Sequence, residues 1–283
     1  MAFLICPICL IWFKLKPAGG GYFVHMLRLI TYNLNGIRAA LNKGFADWAI
    51  SEDFDIICIQ ETKASYGQVD MSALTAAGYH PHWHSAEKKG YSGVLTISKV
   101  QPDKVVYGCG IEKYDREGRI IRTDFGDWTL LNCYWPSGTS GEERQAFKMD
   151  FLADFYDWVK ELQQERPKLV IVGDYNIAHT EIDIHDPKGN KKSSGFLPEE
   201  RAWMTRWFES GFTDSYRFLN PSKVEYSWWS ARFNARANNK GWRIDYVSVT
   251  DNLRPVLRHS RQLMEVVHSD HCPVLVEMDL NTK

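Results

Sequence analysis

Several polar residues in this 283-residue sequence adjoin apolar runs that are typical of β-strands. In "KLVIVGDYNIAH", the apolar residues Leu169 to Val172 are followed by Asp174 and Asn176. Polar residues beside other strand-like runs are Asn33, Asn35, Glu61, Tyr134, Asp270 and His271. Any one of them could be an ordinary turn or cap residue. Because strand ends in open α/β sheets can converge on one crevice, the whole set predicts a single site at one rim.

The residue types at this rim indicate metal-assisted phosphoryl chemistry. Carboxylate and carboxamide oxygens, without a Cys/His cluster at zinc spacing, favour Mg²⁺, with Mn²⁺ as a substitute. Such an ion is usually held by one or two carboxylates together with a substrate phosphate. Enzymes that hydrolyse phosphodiesters supply on the order of 20 kcal/mol, chiefly by positioning and by neutralising phosphate charge. Asp174, Asn176 and His271 beside a metal would meet that demand.

The elements that must position these residues alternate along the chain. Strand-like runs are "LRLITYN", "DIICIQ", "GVLTIS", "WTLLNCYW", "KLVIVG", "IDYVSV" and "CPVLVEM". Apolar residues recur at helical spacing from Glu142 to Arg166, and a second helix is predicted from Pro198 to Ser210 with Gly211 as its stop. This alternation indicates an α/β fold. The echo between "RLITYNLNG" and "KLVIVGDYNIAH" is consistent with two half-domains that have equivalent strand ends.

The bulk composition predicts one domain and no global attraction to nucleic acid. With 44% hydrophobic residues the chain can bury a large core. Its 34 basic residues balance 35 acidic ones, so an anionic partner must be held by a local patch. Two basic segments could do this: Arg232 to Arg243, with four basic residues and no acidic one, and the loop that contains Lys188, Lys191 and Lys192.

The N-terminal residues are interpreted as lying outside this domain. The apolar run Ala2 to Phe13 is shorter than the roughly 20 residues of a membrane-spanning helix, and it lacks the basic leader of a secretory signal. A signal peptide remains the less favoured alternative. Residues 1–25 are therefore predicted to be an extension, and residues 26–283 the catalytic domain. The few cysteines, including a lone Cys6-Pro-Ile-Cys9, favour a reduced cytoplasmic protein with no membrane partner.

The order and spacing of eight motifs resemble one known family. They are "TYNLNGIRAA", "IQETK", "GYSGV", "CYWPSG", "GDYNIAHTEIDI", "DPKGNKKSSGF", "GWRIDY" and "SDHCPV". Together they resemble the exonuclease III class of apurinic/apyrimidinic endonucleases, within the endonuclease/exonuclease/phosphatase superfamily, over about Leu27 to Leu280. "SDH" and "GD.N" occur across that superfamily, whereas "PKGNKKSSGF" and "GWRIDY" are more specific to its DNA-repair branch.

The resemblance implies a four-layered α/β sandwich, with two packed mixed β-sheets flanked by helices. It implies a monomeric DNA-repair nuclease that hydrolyses the phosphodiester 5′ to an abasic site in duplex DNA, with 3′–5′ exonuclease activity. The metal ligands that it implies are Asn35, Glu61 and Asp270, and a second metal in some members would lie near Asp174, Asn176 and His271. The catalytic residues that it implies are Asp174 as base, Asn176 positioning the water, His271 held by Asp245 on the phosphate, Tyr134 at the leaving group, and Asn33 in support.

The DNA-binding residues are also implied by the resemblance. They are Arg38, Tyr91, Arg119, Asn190, Lys192, Trp228, Arg232, Trp242 and Ile244. Trp228, Trp242 and Ile244 would wall a pocket that is too small for a nucleotide with its base, and Arg232 would fill the space beside the flipped nucleotide. The chain departs from the pattern at Asn35, where some relatives have Asp, and at Ser137 and Ser193, which replace amides.

Two other functions stay open at this point. One is a phosphodiesterase of the same superfamily that acts on a lipid or nucleotide, which the two basic segments disfavour. The other is an inactive DNA-binding module, which the occupied catalytic positions disfavour.

Overall fold

The computed structural model describes residues 26–280, so the prediction for residues 1–25 lies outside the described range. In chain order the strands are β1 Leu27–Asn33, β2 Ile56–Gln60, β3 His80–His84, β4 Val94–Ser98, β5 Lys104–Tyr107, β6 Ile120–Phe125, β7 Trp128–Tyr134, β8 Leu169–Asp174, β9 Phe212–Asp214, β10 Trp228–Trp229, β11 Gly241–Trp242, β12 Asp245–Thr250, β13 Leu257–Gln262 and β14 Val274–Met278. The α-helices are α1 Ile37–Leu41, α2 Phe45–Ser51, α3 Ser72–Ala76, α4 Glu112–Asp115, α5 Glu142–Glu165, α6 Pro198–Glu209 and α7 Ser215–Leu219. Short 3₁₀ segments are Tyr66–Gln68, Glu181–Asp183 and Asp251–Val256.

The two large sheets have six strands each and share one pattern. Sheet I has the order β13-β14-β1-β2-β4-β3, and sheet II the order β9-β12-β8-β7-β6-β5. Each has one parallel pair at its centre, β1 with β2 and β8 with β7, and its other pairs are antiparallel. The two runs that echo each other in sequence, β1 and β8, occupy equivalent central positions, as expected for two half-domains.

Three apolar layers hold the sandwich together, and they confirm the predicted four-layered α/β architecture. Between the sheets, residues such as Leu29, Val170 and Val249 form one buried cluster. On the outer face of sheet I, α1 to α3 pack through a second cluster. On the outer face of sheet II, α5 and α6 pack through an aromatic-rich cluster that includes Phe151 and Trp207. Burial of the apolar surface of these three clusters supplies the main driving force for folding.

The sequence patterns located the long elements well. Each of the seven predicted strands is present, and the two predicted helices begin at Glu142 and Pro198 as expected. Pro198 lies in the first turn of α6, where its missing N–H is tolerated. The seven strands that were not predicted are mostly short, or at sheet edges where burial does not impose a clear pattern.

A buried amide pair joins the inner faces of the two sheets. Gln60 Nε2 donates to Asn132 Oδ1 at 2.7 Å, and Asn132 Nδ2 donates to the Leu95 carbonyl at 2.9 Å. Because buried amides are costly unless they are hydrogen-bonded, this link favours one register between the sheets.

Two further findings concern the helices and the cysteines of the described residues. Between residues 26 and 280, no helix has both the length and the apolar character that crossing a bilayer requires. The described cysteines are free thiols, with Cys58, Cys133 and Cys272 buried and Cys109 half-buried.

Candidate active site

The predicted site residues lie at one rim, where strands of both sheets end. β1 and β2 end side by side, with Asn33 paired with Gln60, and β7 and β8 do the same, with Tyr134 paired with Asp174. Asp245 opens β12 opposite Asp174. Because β14 runs antiparallel to β1, the Asp270–His271 segment before it reaches the same rim.

Asn33 connects the two sheets at the centre of the site. Its Nδ2 donates to Glu61 Oε1 on sheet I and to Asp174 Oδ2 on sheet II, both at 2.9 Å. Ligand atoms of Glu61, Asp174 and His271 all lie within 4.8 Å of one another. The site therefore depends on both sheets, and Asn33 holds their carboxylates close together.

Asp174 is buried, and its oxygens are directed by neighbouring amides. Its Oδ1 accepts the backbone N–H of Asn176 at 2.8 Å, and its Oδ2 also accepts from Asn176 Nδ2 at 3.2 Å. Burial, and next the nearby Asp245 carboxylate, raise the pKa of Asp174 to about 7. A carboxylate with a pKa near neutrality is suited to accept a proton from water.

His271 is paired with a buried carboxylate. Its Nδ1 contacts Asp245 Oδ2 at 2.8 Å. Burial alone would lower the pKa of His271, but Asp245, together with the carboxylates of Asp174 and Asp270, outweighs burial and raises that pKa to about 10. The imidazole is therefore a cation at neutral pH, and its Nε2 N–H can donate to an anionic oxygen.

The predicted metal ligands form an oxygen-rich cluster with Lys63, a residue that the sequence did not single out. Lys63 Nζ lies 2.7 Å from Glu61 Oε2 and also donates to Asn35 Oδ1. Asp270 Oδ1 accepts from Asn35 Nδ2 at 3.0 Å, and its Oδ2 accepts from Trp228 Nε1 at 3.1 Å. Oxygens of Glu61 and Asn35 thus converge on a position that attracts positive charge, and these hard donors fit Mg²⁺ or Mn²⁺.

Four residues of the site have left-handed backbone conformations. Asn35, Glu61, Lys63 and Asn176 are non-glycine residues with φ of 49°, 51°, 50° and 53°. Such left-handed conformations cost on the order of 1 kcal/mol each and persist where the surrounding structure imposes them. The turns after β1, β2 and β8 are therefore held in shapes that direct polar side chains into the site.

Arg119, which is predicted to bind DNA, is buried and contacts Tyr134 and Tyr91. Its Nη1 donates to the Tyr134 carbonyl at 2.9 Å, and its Nη2 donates to the Tyr91 hydroxyl at 3.0 Å. Burial raises the pKa of Tyr134 well above its usual range, so the phenol keeps its proton. Arg119 thus supports these two tyrosines from behind, and its Nε also donates to Glu117 Oε2 at 2.6 Å.

A cavity of about 760 Å³ opens next to the polar cluster. Trp228, Trp242 and Ile244 line it together with Asp174 and His271, and the two indole rings meet edge to face at 6.0 Å. The predicted pocket residues and the polar cluster therefore lie in one cavity.

The remaining predicted DNA-binding residues differ in exposure and in their contacts. Arg38 on α1 is exposed, and Lys192 is exposed and lines the cavity. Asn190 is half-buried and donates to the backbone carbonyls of its own loop. Arg232 is exposed, and beside it Phe233 is 92% exposed.

Only two of the four basic residues in the 232–243 segment, which is predicted to contact DNA, are exposed. Arg236 points inward and donates to the carbonyls of Met264, Val266, Ser269 and His271. Arg243 is buried, with Nε 2.8 Å from Asp183 Oδ1 and Nη2 2.7 Å from Asp214 Oδ2. Arg232 and Lys240 remain exposed. The segment is thus anchored to residues 264–271, between β13 and β14, and presents Arg232 and Phe233 outward.

Comparison with known proteins agrees with this geometry. A model of the Endonuclease/Exonuclease/phosphatase family matches residues 30–271. An exodeoxyribonuclease of Bacillus subtilis is 42% identical over 250 residues, which cover 88% of this chain and 98% of that protein. The DNA repair nuclease APEX1 of Danio rerio is 40% identical over 251 residues, covering 88% and 81%. The solved structure of an AP endonuclease from Archaeoglobus fulgidus superimposes with a TM-score of 0.83 at 28% identity, covering 90% of this chain and 100% of that one.

Proposed function

We propose that this chain, which belongs to the Endonuclease/Exonuclease/phosphatase family, is a DNA-repair nuclease. Its proposed reaction is hydrolysis 5′ to abasic sites in duplex DNA. Trimming of 3′ ends is proposed as its second activity. The observation that carries the proposal is the Asn33 bridge between Glu61 and Asp174, next to His271 and an aromatic-walled cavity. Monomeric state, cytoplasmic location and one domain over residues 26–283 stay predictions.

Each polar residue has a distinct part in the proposed hydrolysis. Asp174 accepts the proton of the attacking water, and Asn176, fixed against Asp174, orients that water. The His271 cation donates to a phosphate oxygen and neutralises charge as it develops. The Tyr134 phenol, which keeps its proton, donates to the departing 3′ oxygen. Asn35, Glu61 and Asp270 would hold Mg²⁺, whose chemistry is to polarise the phosphate and to stabilise charge on its oxygens.

Substrate selection is assigned to the cavity wall. A nucleotide without its base costs less to unstack than an intact one, and it fits an apolar pocket that excludes a base. Trp228, Trp242 and Ile244 supply such a wall within reach of Asp174. This arrangement favours an abasic deoxyribose over an intact nucleotide.

A duplex with one central abasic site tests the proposal. Pure protein should cut it in Mg²⁺, leaving a 3′-hydroxyl and a 5′-deoxyribose phosphate, and should leave it intact in chelator. The matched intact duplex and a lipid phosphodiester serve as controls. Uncut abasic duplex with hydrolysed lipid would support a phosphodiesterase instead, and binding without cleavage of any substrate would support an inactive module.

Replacing Glu61 with Ala should weaken metal binding. Loss of one carboxylate ligand should lower the rate about tenfold or more at limiting Mg²⁺, with partial recovery at high Mg²⁺ or Mn²⁺. Calorimetric titration with Mn²⁺ gives a readout that is independent of turnover. Glu112→Ala, which removes an exposed carboxylate on α4, is the matched control. A rate defect that metal concentration does not alter, with normal Mn²⁺ binding, would contradict the ligand role.

Arg232 and Phe233 should contribute differently to DNA affinity. Arg232→Ala should weaken binding to abasic duplex more than to intact duplex, and should reduce the salt dependence by at most about one phosphate contact. Phe233→Ala removes an aromatic ring that can stack on bases, and it should weaken binding without changing the salt dependence. Fluorescence anisotropy in chelator at several salt concentrations measures both effects.

Lys104→Ala, at the edge of sheet II, is the control for a remote basic residue. Equal losses on both duplexes would make Arg232 a general phosphate contact. No loss from either substitution would remove this turn from the DNA interface.

A further inference from the structure

A fully buried ion pair lies directly behind one wall of the active-site cavity. Lys148 on α5 and Glu200 on α6 are each 0% exposed, and Lys148 Nζ lies 2.6 Å from Glu200 Oε1. Removing two charges from water costs energy that their attraction often only balances, so stability alone explains such a pair poorly. Its other contacts indicate a different role.

On the lysine side, the pair holds the turn that carries a proposed catalytic residue. Lys148 Nζ donates to the Asn176 carbonyl at 2.9 Å. Asn176 has a φ of 53°, a conformation that needs support from its surroundings. Its side chain contacts Asp174 and also donates to the Trp135 carbonyl at 2.9 Å. Lys148 thus fixes the backbone from which Asn176 reaches the water-binding position.

On the glutamate side, the pair holds the loop that lines the cavity. Glu200 Oε2 accepts the N–H groups of Gly195 at 2.6 Å and Leu197 at 2.9 Å. Gln145 Nε2 donates to Glu200 Oε1 at 3.1 Å, while Gln145 Oε1 accepts from Ser194 Oγ at 2.7 Å. The carboxylate is therefore saturated by donors from this loop and from α5.

At Gly195 the loop lies against both the pocket wall and the turn that follows β8, and the Gly195 carbonyl accepts the Ala178 N–H at 2.8 Å. Gly195 has a φ of 92°, and a Cβ atom there would lie 3.0 Å from the Asn176 carbonyl oxygen and 3.1 Å from the Trp242 ring. A side chain at Gly195 would therefore have to displace the Trp242 ring or the Asn176 turn. The turn held by Lys148 and the loop held by Glu200 therefore contact each other at Gly195.

We infer that Lys148 and Glu200 are positioning residues that hold Asn176 and the Ser194–Leu197 wall in a fixed relation, so that water placement and pocket width are set together. The inference rests on the proposed function. If the protein has that function, one buried pair determines both the rate of the chemical step and the preference for an abasic over an intact nucleotide.

The double variant Lys148→Met/Glu200→Gln tests this without leaving an unpaired buried charge. It should fold, with a lower kcat on abasic duplex by about 10- to 100-fold, because small displacements of positioned groups have effects of that size. The change in KM should be smaller. In chelator, the ratio of affinities for abasic and intact duplex should fall by about threefold or more. Lys148→Arg, which keeps the charge and the donors, should retain most of the wild-type kcat and selectivity.

Gln145→Ala provides a milder test that removes no charge. It breaks the Ser194 contact, and we expect a few-fold loss of abasic selectivity with little change in Tm. The structural control is Arg122→Met/Asp124→Asn, which removes a largely buried ion pair on β6, at the opposite end of the sandwich. That control should lower Tm while leaving kcat and selectivity unchanged.

The outcomes separate this inference from the proposed function. If the wild type does not cut abasic duplex, the proposed function fails before any variant is compared. If the wild type cuts, and the folded double variant keeps its kcat and selectivity, the pair is only structural and the inference is overturned. If the double variant does not fold, unchanged selectivity in Gln145→Ala overturns the inference, and reduced selectivity supports it.

Discussion

Asp174→Asn is expected to reduce the turnover of abasic duplex by about 10²- to 10⁴-fold while leaving the affinity for that duplex nearly unchanged. The substitution removes the proton acceptor but none of the exposed basic residues. It also relieves the repulsion between buried Asp174 and Asp245, which raises the pKa of Asp174 to about 7 together with burial. We therefore expect the fold to tolerate the amide.

Single-turnover rates with Mg²⁺ and binding in chelator measure the two quantities separately. Asp124→Asn is the matched control, because Asp124 is a buried aspartate at the far end of sheet II that accepts from Arg122 and Thr129. It should lose stability but not turnover. A parallel loss of affinity and rate in Asp174→Asn would assign Asp174 a structural role instead.

The substitution with the largest expected effect on stability is Asp183→Asn. It should lower the free energy of unfolding by about 3–5 kcal/mol, because it leaves the buried Arg243 guanidinium without one of its two carboxylate partners. Arg243 is held between Asp183 and Asp214, and Arg217 also contacts Asp183. Asp183 further accepts from Thr180 Oγ1 at 2.7 Å. Because Arg243 lies between the pocket residues Trp242 and Ile244, loosening it should also weaken abasic selectivity.

The pH dependence of this effect has a definite sign. Burial alone would raise the pKa of Asp183, but Arg243, Arg217 and the Thr180 hydroxyl together outweigh burial and hold that pKa well below its usual range. A carboxyl with a depressed pKa stabilises the fold above its unfolded pKa of about 3.9, and this stabilisation is lost as the pH falls towards the folded value. The difference in unfolding free energy between wild type and variant should thus be full at neutral pH and shrink below about pH 4.

Urea unfolding at several pH values measures that difference. Asp127→Asn is the control, since the exposed Asp127–Lys168 pair should contribute about 1 kcal/mol or less. A loss in Asp183→Asn as small as that of the control, or one that does not depend on pH, would contradict the assignment.

That the polar residues of the site would meet at one rim was predictable from sequence, because they adjoin the strongest strands. Buried runs such as Leu169–Asp174 and Leu27–Asn33 fix both the strand and the position of the polar residue that follows. Hydrophobic periodicity could not predict that Asn33 contacts Asp174 across the two sheets, because no local pattern encodes how one sheet docks on the other. Only the family resemblance indicated that Asn33 belongs to the site.

Other features depended on tertiary contacts and could not be predicted. The inward direction of Arg236 follows from the four carbonyls available around it, and a basic residue in a loop gives no sign of this in sequence. Lys63 follows Glu61 by two residues, yet its contact with Asn35 arises only because β1 and β2 are neighbours. Lys148 and Glu200 occupy ordinary helical positions whose pairing requires α5 and α6 to meet.

The Asn33 bridge also bears on how the protein acquires activity during folding. Asn33 and Asp174 are 141 residues apart in the chain, and Asn35 and Asp270 are 235 apart. Contacts of such long range form slowly, because large loops must close before the contacts repay the lost entropy. Neither half of the chain contains a complete site, so nuclease activity should return only when the two sheets have docked. Recovery of cleavage after dilution from denaturant would then report the last step of folding, later than the return of secondary structure.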